Sequence, residues 1–285
     1  MTTVLVWEHY TKRSSEASSE LGDHGNPFKI GELVFAADSR FSGGETWDSN
    51  AKIFNLGRDD CLLAFAGDIG RALPLVFQAI SSANSFEGSR LRTIDIPQFA
   101  NHLVKILNSV WQKAHGAAAK DGPDCEFILG GWSWAYCRFF IYKIQFNEKL
   151  NRFCKHVVKN RIGVLDSVNQ IGNAGIIGDG DRGLIRELGN LAREGDLIAS
   201  READENCKLG LSLPVEALYK QTLSGEDTSV GGPVQVSIVS QRVSVEHLAV
   251  GIEGSIYING REKLANENYN LRTLIRTKQL DWRIM

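Results

Sequence analysis

The sequence has little net charge and no long apolar run. Its 285 residues include 34 acidic and 32 basic side chains, for a formal net charge of −2. Without a basic stripe, the chain is not expected to bind the phosphate backbone of nucleic acids. No apolar stretch approaches the roughly 18 residues that cross a bilayer, and the start, MTTVLVWE, lacks the basic and long apolar parts of a secretory signal. We therefore expect a cytoplasmic protein that binds neither nucleic acid nor membrane.

Cysteine and histidine are also sparse. The five cysteines are scattered without a CxxC pair, which is typical of reduced thiols in a cytosolic protein. The six histidines form no pair at metal-ligand spacing, so a zinc site is not expected, and no cofactor is predicted. The segment GDGD at 178–181 is similar to part of a calcium loop, but it lacks the further acids of an EF-hand. We interpret it as a helix N-cap.

Apolar patterning predicts a single layered domain. Hydrophobic residues make up 43% of the chain, enough for a sizeable core. Apolar runs bounded by turn residues predict strands at 3–10, 30–37, 52–56, 61–66, 125–129, 138–145, 164–171, 234–239 and 248–258. Helical spacing predicts helices at 70–83, 97–115, 182–193 and 213–223, and a basic helix from Asn266. Helices in blocks favour an α+β fold over a doubly wound parallel sheet. One domain, 1–285, is predicted, with an insertion loop at 11–29 and a C-terminal extension at 241–285.

The amino terminus is the first candidate for chemistry. Initiator methionine is normally removed before a small residue, which would leave Thr2 with a free α-amine beside its hydroxyl. An α-amine has an unperturbed pKa of about 7.7–8.0 and can act as the base for a hydroxyl nucleophile on the same residue. Many cytosolic proteins begin Met-Thr without any such role, so this motif alone leaves both interpretations open.

Three further residues could support a hydroxyl nucleophile. Asp38 ends a hydrophobic strand, Lys52 lies on the next predicted strand, and Gly67 lies between a strand and a helix. A lysine beside a hydroxyl favours the alkoxide, and a carboxylate can orient that lysine. A glycine N–H near a helix start can stabilise an oxyanion. Taken singly, each residue also fits an ordinary role: a turn-capping Asp, a solvated Lys at a strand edge, and a simple turn.

Six segments together resemble proteasome β-type subunits and their bacterial heat-shock relatives, which are N-terminal-nucleophile (Ntn) hydrolases. Any one of these segments is weak, but the ordered set is fairly specific and covers most of residues 2–240. The segments are TTVLV at 2–6, LVFAADSR at 33–40, AKIF at 51–54, AFAG at 64–67, GNAG at 172–175 and DTSVGGPVQV at 227–236.

The resemblance implies a four-layer αββα sandwich and peptide hydrolysis through an acyl-enzyme. It also implies peptide or unfolded-protein substrates and a homo-oligomeric ring, with an ATPase unfoldase as a candidate partner. By position, the resemblance implies Thr2 as nucleophile and base, Asp38 as orienting acid, Lys52 as buried lysine, Gly67 as oxyanion donor, Asp227 as second acid, and Ser42 as a residue that holds the substrate backbone.

The sequence departs from the family pattern around the terminal amine. Asn173 and Ala174 stand where the family has a serine and the first glycine of a pair, and Val230 replaces a serine, with Ser229 just before it. The side-chain oxygen of Asn173 could still accept a hydrogen bond from the amine, and Asn173 is predicted, with Ser42, to bind the substrate. These departures leave a second interpretation: a catalytically inactive scaffold or binding subunit on the same fold.

Overall fold

The structure is a computed structural model, and it describes residues 2–12, 28–43, 45–115, 122–159, 162, 171–199, 209–277 and 282–285. Most of the predicted insertion at 11–29 lies outside these residues, as does nearly all of the predicted strand at 164–171.

The described residues form five helices and sixteen strands. The helices are α1 (Ile69–Ser85), α2 (Glu87–Arg90), α3 (Ile96–Trp111), α4 (Asp181–Ala199) and α5 (Leu209–Ser224). The strands are β1 (Val4–Lys12), β2 (Phe28–Ala37), β3 (Phe41–Gly43), β4 (Glu45–Trp47), β5 (Ile53–Asn55), β6 (Cys61–Gly67), β7 (Cys125–Ser133), β8 (Arg138–Asn147), β9 (Arg152–Val157), β10 (Ile171–Ile177), β11 (Gln235–Ser240), β12 (Ser244–Ile252), β13 (Ser255–Ile258), β14 (Arg261–Glu262), β15 (Thr273–Arg276) and β16 (Trp282–Ile284).

The strands of the described residues build two large sheets and one hairpin. The nine-stranded sheet has the order β10-β1-β2-β11-β12-β13-β14, with β15 parallel to β12 and β16 antiparallel to β15. The five-stranded sheet has the order β5-β6-β7-β8-β9, and β3 pairs with β4 alone. Apart from β12–β15, all pairings are antiparallel. The α+β class predicted from the sequence is confirmed.

Strand alternation divides the core into three clusters. On β1, Val4 and Val6 pack between the two sheets with Leu62 and Ala64 of β6. Leu5 and Trp7, at the alternate positions of β1, point to the opposite face, which α4 and α5 cover. The outer face of the five-stranded sheet packs against α1 and α3. Successive side chains of a strand point to opposite faces, so β1 and β2 are apolar on both faces and the large sheet is buried on both sides there.

The C-terminal region corrects the prediction of a basic helix from Asn266. Thr273–Arg276 and Trp282–Ile284 are strands. The indole of Trp282 is buried and donates to Glu216 Oε2 of α5 at 2.9 Å, and Arg276 binds the same carboxylate through two hydrogen bonds at 2.8 Å. This anchoring to α5 and the pairing with β12 are tertiary effects, which override a local helical pattern.

The predicted strand at 248–258 is a hairpin. It turns at Glu253 and Gly254, both of which have positive φ, at 50° and 92°. Two consecutive residues with positive φ are the signature of a type I′ turn, which matches the twist of antiparallel strands.

Gly130 of β7 leaves room between the two sheets for side chains of β2. A Cβ at Gly130 would lie 2.6 Å from Leu33 Cδ2 and 2.7 Å from Phe35 Cζ. Gly130→Ala should therefore lower the free energy of unfolding by about 1–3 kcal/mol, as overpacking does, measured by urea denaturation. Gly70→Ala in α1 is the control: its Cβ meets only ordinary contact, at 3.4 Å, and alanine favours a helix by about 0.5–1 kcal/mol. Equal stability of the two variants would contradict this account of the sheet interface.

Candidate active site

Thr2, Asp38 and Lys52 come together at one end of the two sheets. β1 and β2 pair with Val4 opposite Ala37, so Thr2 and Thr3 precede β1 where Asp38 follows β2. The Asp38 amide donates to the Thr3 carbonyl at 3.3 Å. Lys52 leads into β5 of the other sheet, and its carbonyl accepts from Phe65 of β6 at 3.3 Å. The site is therefore assembled from the larger sheet on one side and the smaller sheet on the other.

The Lys52 ammonium joins the other two side chains. Its Nζ donates to Thr2 Oγ1 at 2.8 Å and to Asp38 Oδ1 at 2.8 Å. All three residues are buried, with Lys52 and Asp38 at 0% exposure. Burial lowers the pKa of Lys52 from its usual range, although the Asp38 carboxylate acts in the opposite direction. A lysine with a lowered pKa, hydrogen-bonded to a hydroxyl, can stabilise the alkoxide form of that hydroxyl.

Backbone amides fix the Asp38 carboxylate in place. Oδ1 accepts from the Thr3 N–H at 3.0 Å, and Oδ2 accepts from the Arg40 and Gly231 N–H groups at 3.2 and 3.1 Å. With the Lys52 ammonium, four donors hold this one side chain. Charge-assisted hydrogen bonds of this kind satisfy a buried carboxylate. The fixed carboxylate in turn orients the Lys52 ammonium.

Gly67 ends β6 in a conformation that suits glycine. Its φ is +106°, and a Cβ there would lie 2.3 Å from the Asp124 carbonyl oxygen. The next residue, Asp68, caps α1 by accepting from the Arg71 N–H at 2.9 Å. Ala66, just before Gly67, lies beside Gly178, which in turn lies against the Thr2 carbonyl. The predicted oxyanion glycine is thus in the neighbourhood of Thr2.

The glycine segment nearest the amino terminus is 178–180, not 172–175. A Cβ on Gly178 would lie 1.8 Å from the Thr2 carbonyl oxygen, and one on Gly180 would lie 2.0 Å from Thr3 Oγ1. The Gly178 N–H donates to Glu126 Oε1 of β7 at 2.7 Å, which ties this turn to the other sheet. Sequence reasoning interpreted the segment only as the N-cap of the following helix. The signal that could have identified it is the pair of glycines at 178 and 180, directly between a strand and a helix.

Asn173 is not brought to the site. Its backbone N–H and its Nδ2 both donate to Glu8 Oε2 at 3.0 Å, and the neighbouring Ala174 pairs with Trp7. Glu8 lies six positions after Thr2 along extended chain, a distance of about 20 Å at about 3.3 Å per residue. The register of β10 therefore corrects the predicted place of Asn173 beside the terminal amine.

Asp227 shapes a loop, and Ser42 lies on a hairpin. Asp227 Oδ1 accepts from the Ser229 N–H at 2.9 Å and from the Ser229 hydroxyl. This loop leads into Gly231, whose N–H donates to Asp38. Asp227 therefore affects Asp38 indirectly, by holding the loop that carries Gly231. Ser42 is half-buried in β3, opposite Thr46 of β4.

A cavity opens beside the glycines at Thr2. It has a volume of about 760 Å³ and is lined in part by Ala66, Gly67 and Gly178. Thr2 does not line it, but its carbonyl lies against Gly178. Its remaining charged lining consists of one guanidinium and four carboxylates, those of Arg71, Asp124, Glu126, Glu148 and Asp179. A volume of this size accommodates several side chains of a bound ligand.

The residues that the structure describes contain no group of three or more histidine, cysteine or acidic side chains arranged to hold a metal ion. Across the same residues, no helix is long and apolar enough to span a membrane. No protein-family model matches the chain, and a search of curated proteins gave no match either.

A double-mutant cycle tests how strongly the buried pair is coupled. Lys52→Met leaves the Asp38 charge without its cation, which should cost about 3–5 kcal/mol of stability. Combining it with Asp38→Asn should cost less than the sum of the single changes, with a coupling above about 1 kcal/mol in urea unfolding. The matched control is the ion pair of Arg186 and Glu226, side chains that are 52% and 61% exposed, where coupling should stay below about 1 kcal/mol. Equal coupling in the two pairs would contradict a tightly held Lys52–Asp38 contact.

Proposed function

We propose that the protein is an N-terminal-threonine peptidase or amidase of the proteasome-like group of Ntn hydrolases. The observation that carries the proposal is the buried Lys52 ammonium, hydrogen-bonded at 2.8 Å to both the Thr2 hydroxyl and the Asp38 carboxylate. A buried charge is costly, and activation of the Thr2 hydroxyl gives a reason to keep one at this position.

The proposed mechanism uses the terminal residue as nucleophile and base. Removal of Met1 frees the α-amine, which takes the hydroxyl proton as Thr2 Oγ1 attacks the peptide carbonyl carbon. Lys52 stabilises the developing alkoxide, and the Gly67 N–H stabilises the tetrahedral oxyanion. The amine then gives its proton to the leaving nitrogen, and the C–N bond breaks to leave an ester on Thr2. Water, deprotonated by the same amine, hydrolyses the ester and restores the hydroxyl.

The arrangement of the sheets and the cavity supports the proposal. Clusters between the sheets and on both outer faces agree with a four-layer αββα sandwich, the architecture that the resemblance implies. The cavity lined by Gly67 and Gly178 offers space for a peptide substrate, and Gly178 is the lining residue that also lies against the Thr2 backbone. We assign Ser42 to the substrate backbone on the resemblance alone.

A specific observation favours the alternative of an inactive scaffold or binding subunit. The resemblance places a serine where this chain has Val230, and Val230 is buried, with a methyl group 2.9 Å from the Cβ position of Gly180. An apolar residue there cannot pass a proton to the terminal amine. The intact mass of the purified protein separates the two functions, since a retained Met1 would leave an amide where the base must be.

Removing the Thr2 hydroxyl should abolish hydrolysis. We expect no turnover of peptide substrates by Thr2→Ala, reduced turnover by Thr2→Ser, and, in mass spectrometry, an adduct at Thr2 with electrophiles selective for an N-terminal threonine. Alanine and serine are both small enough for Met1 to be removed, so the three proteins differ only at the nucleophile. Thr93→Ala, at an exposed threonine, should label like the wild type. Unchanged turnover in Thr2→Ala would refute the nucleophile assignment.

We also propose a cytoplasmic homo-oligomeric ring, because an unguarded peptidase would cut indiscriminately. The outer helical layer carries exposed apolar side chains, including Phe77 at 60% and Phe86 at 41% exposure. Closed rings need a heterologous interface between two different patches of the subunit. Light scattering after size exclusion should therefore give a multiple of the 31.5 kDa subunit mass larger than two. A monomer at micromolar concentration would reject the ring and, with it, an unfoldase partner that docks on one.

A further inference from the structure

The Gln235 side chain bridges the two chain segments that carry Asp38 and Lys52. Gln235 opens β11 and is buried at 2% exposure. Its Nε2 donates to the carbonyls of Asp38 at 3.2 Å and Asn50 at 2.6 Å, and its Oε1 accepts from the Lys52 N–H at 3.0 Å. Both donors and the acceptor of the carboxamide are thus used by the backbone on either side of the candidate site.

This bridge spans the gap between the sheets. Asp38 follows β2 of the larger sheet, and Lys52 leads into β5 of the smaller one. Gln235 is itself paired with Ala37 through the backbone, so its side chain extends from a fixed strand. The distance between the Asp38 and Lys52 segments is therefore set by the hydrogen bonds of the Gln235 side chain as well as by packing.

We infer that Gln235 is a positioning residue for the reaction proposed above, on which this inference rests. It acts through the backbone of Lys52 and Asp38 and sets the distances from the ammonium to the Thr2 hydroxyl. Only a carboxamide carries two N–H donors and an acceptor on one planar group. Glutamate would place a carboxylate oxygen where Nε2 donates to the two carbonyls, and both hydrogen bonds would be lost. Methionine would keep the volume of the side chain but would lose all three hydrogen bonds. A misplacement of about 1 Å in a catalytic group costs about 10²-fold in rate.

The experiment measures the rate of adduct formation at Thr2 by mass spectrometry, and kcat and KM for a peptide substrate, from pH 5 to pH 9. Gln235→Met should lower the adduct rate and kcat ten- to hundredfold with little change in KM. Gln235→Glu should show a similar loss at high pH. Its rate relative to wild type should rise as the pH falls, because the introduced carboxyl group regains one donor when it is protonated, and burial raises the pKa at which this happens.

Asn108 provides the matched control for a purely structural effect. Its carboxamide also bridges the backbone, donating to the Phe153 carbonyl at 3.0 Å and accepting from the Phe153 N–H at 2.6 Å, but between α3 and β9. Asn108→Asp should lose stability in urea unfolding while keeping the wild-type adduct rate. If Gln235→Met also kept that rate, or if the Gln235→Glu ratio did not change with pH, the positioning role would be overturned.

A second readout separates failure of this inference from failure of the proposed function. NMR titration of the Lys52 ammonium follows its pKa without any turnover. Loss of the bridge in Gln235→Met should change that pKa, and Asn108→Asp should not. A wild-type protein that forms no Thr2 adduct would reject the peptidase, whereas an unchanged Lys52 titration in Gln235→Met would reject the bridge by itself.

Discussion

The ion pair of Lys52 and Asp38 is the interaction on which the organisation of this end of the molecule depends. Two charges at 0% exposure lose their hydration, and their mutual attraction offsets that loss only when further hydrogen bonds complete the site. Three backbone amides donate to the carboxylate, and the Thr2 hydroxyl accepts from the ammonium. The backbone and side chains around the pair thus complete its hydrogen bonds.

Close approach of backbones at the site requires residues without a side chain. Gly178 and Gly180 lie against Thr2 and Thr3, where a Cβ would overlap an oxygen atom. Gly231 lies against the end of the Arg40 side chain, where a Cβ would lie 2.4 Å from Arg40 Cζ. The Arg40 guanidinium in turn binds Asp48 and the Thr228 carbonyl, so the loop that donates to Asp38 is held from outside as well.

The packing of the sheets gives the site its rigidity. Because both faces of the larger sheet are covered, β1 cannot shift by one residue without exchanging the side chains of its two apolar faces, which differ in size and partners. The amino terminus is thereby fixed in register. Glu126 adds a polar tie between the sheets, as an acceptor for the Gly178 N–H and a partner of the Lys143 ammonium at 3.2 Å. The candidate nucleophile Thr2 is buried, with Gly178 against its carbonyl and the Lys52 ammonium on its hydroxyl.

Local sequence determined the elements and the chemical character of the site. Unbroken apolar runs and helical spacing located β1, β2, β6 and the four long helices, because these patterns depend on residues near each other in the chain. Asp38 and Lys52 were identifiable because each is a charge beside an apolar strand. The strands at the C-terminus, the place of Asn173 and the bridge made by Gln235 were decided only by the tertiary structure. Each depends on which strands pair and in what register, and that is set by contacts between residues distant in sequence, which a local pattern does not encode.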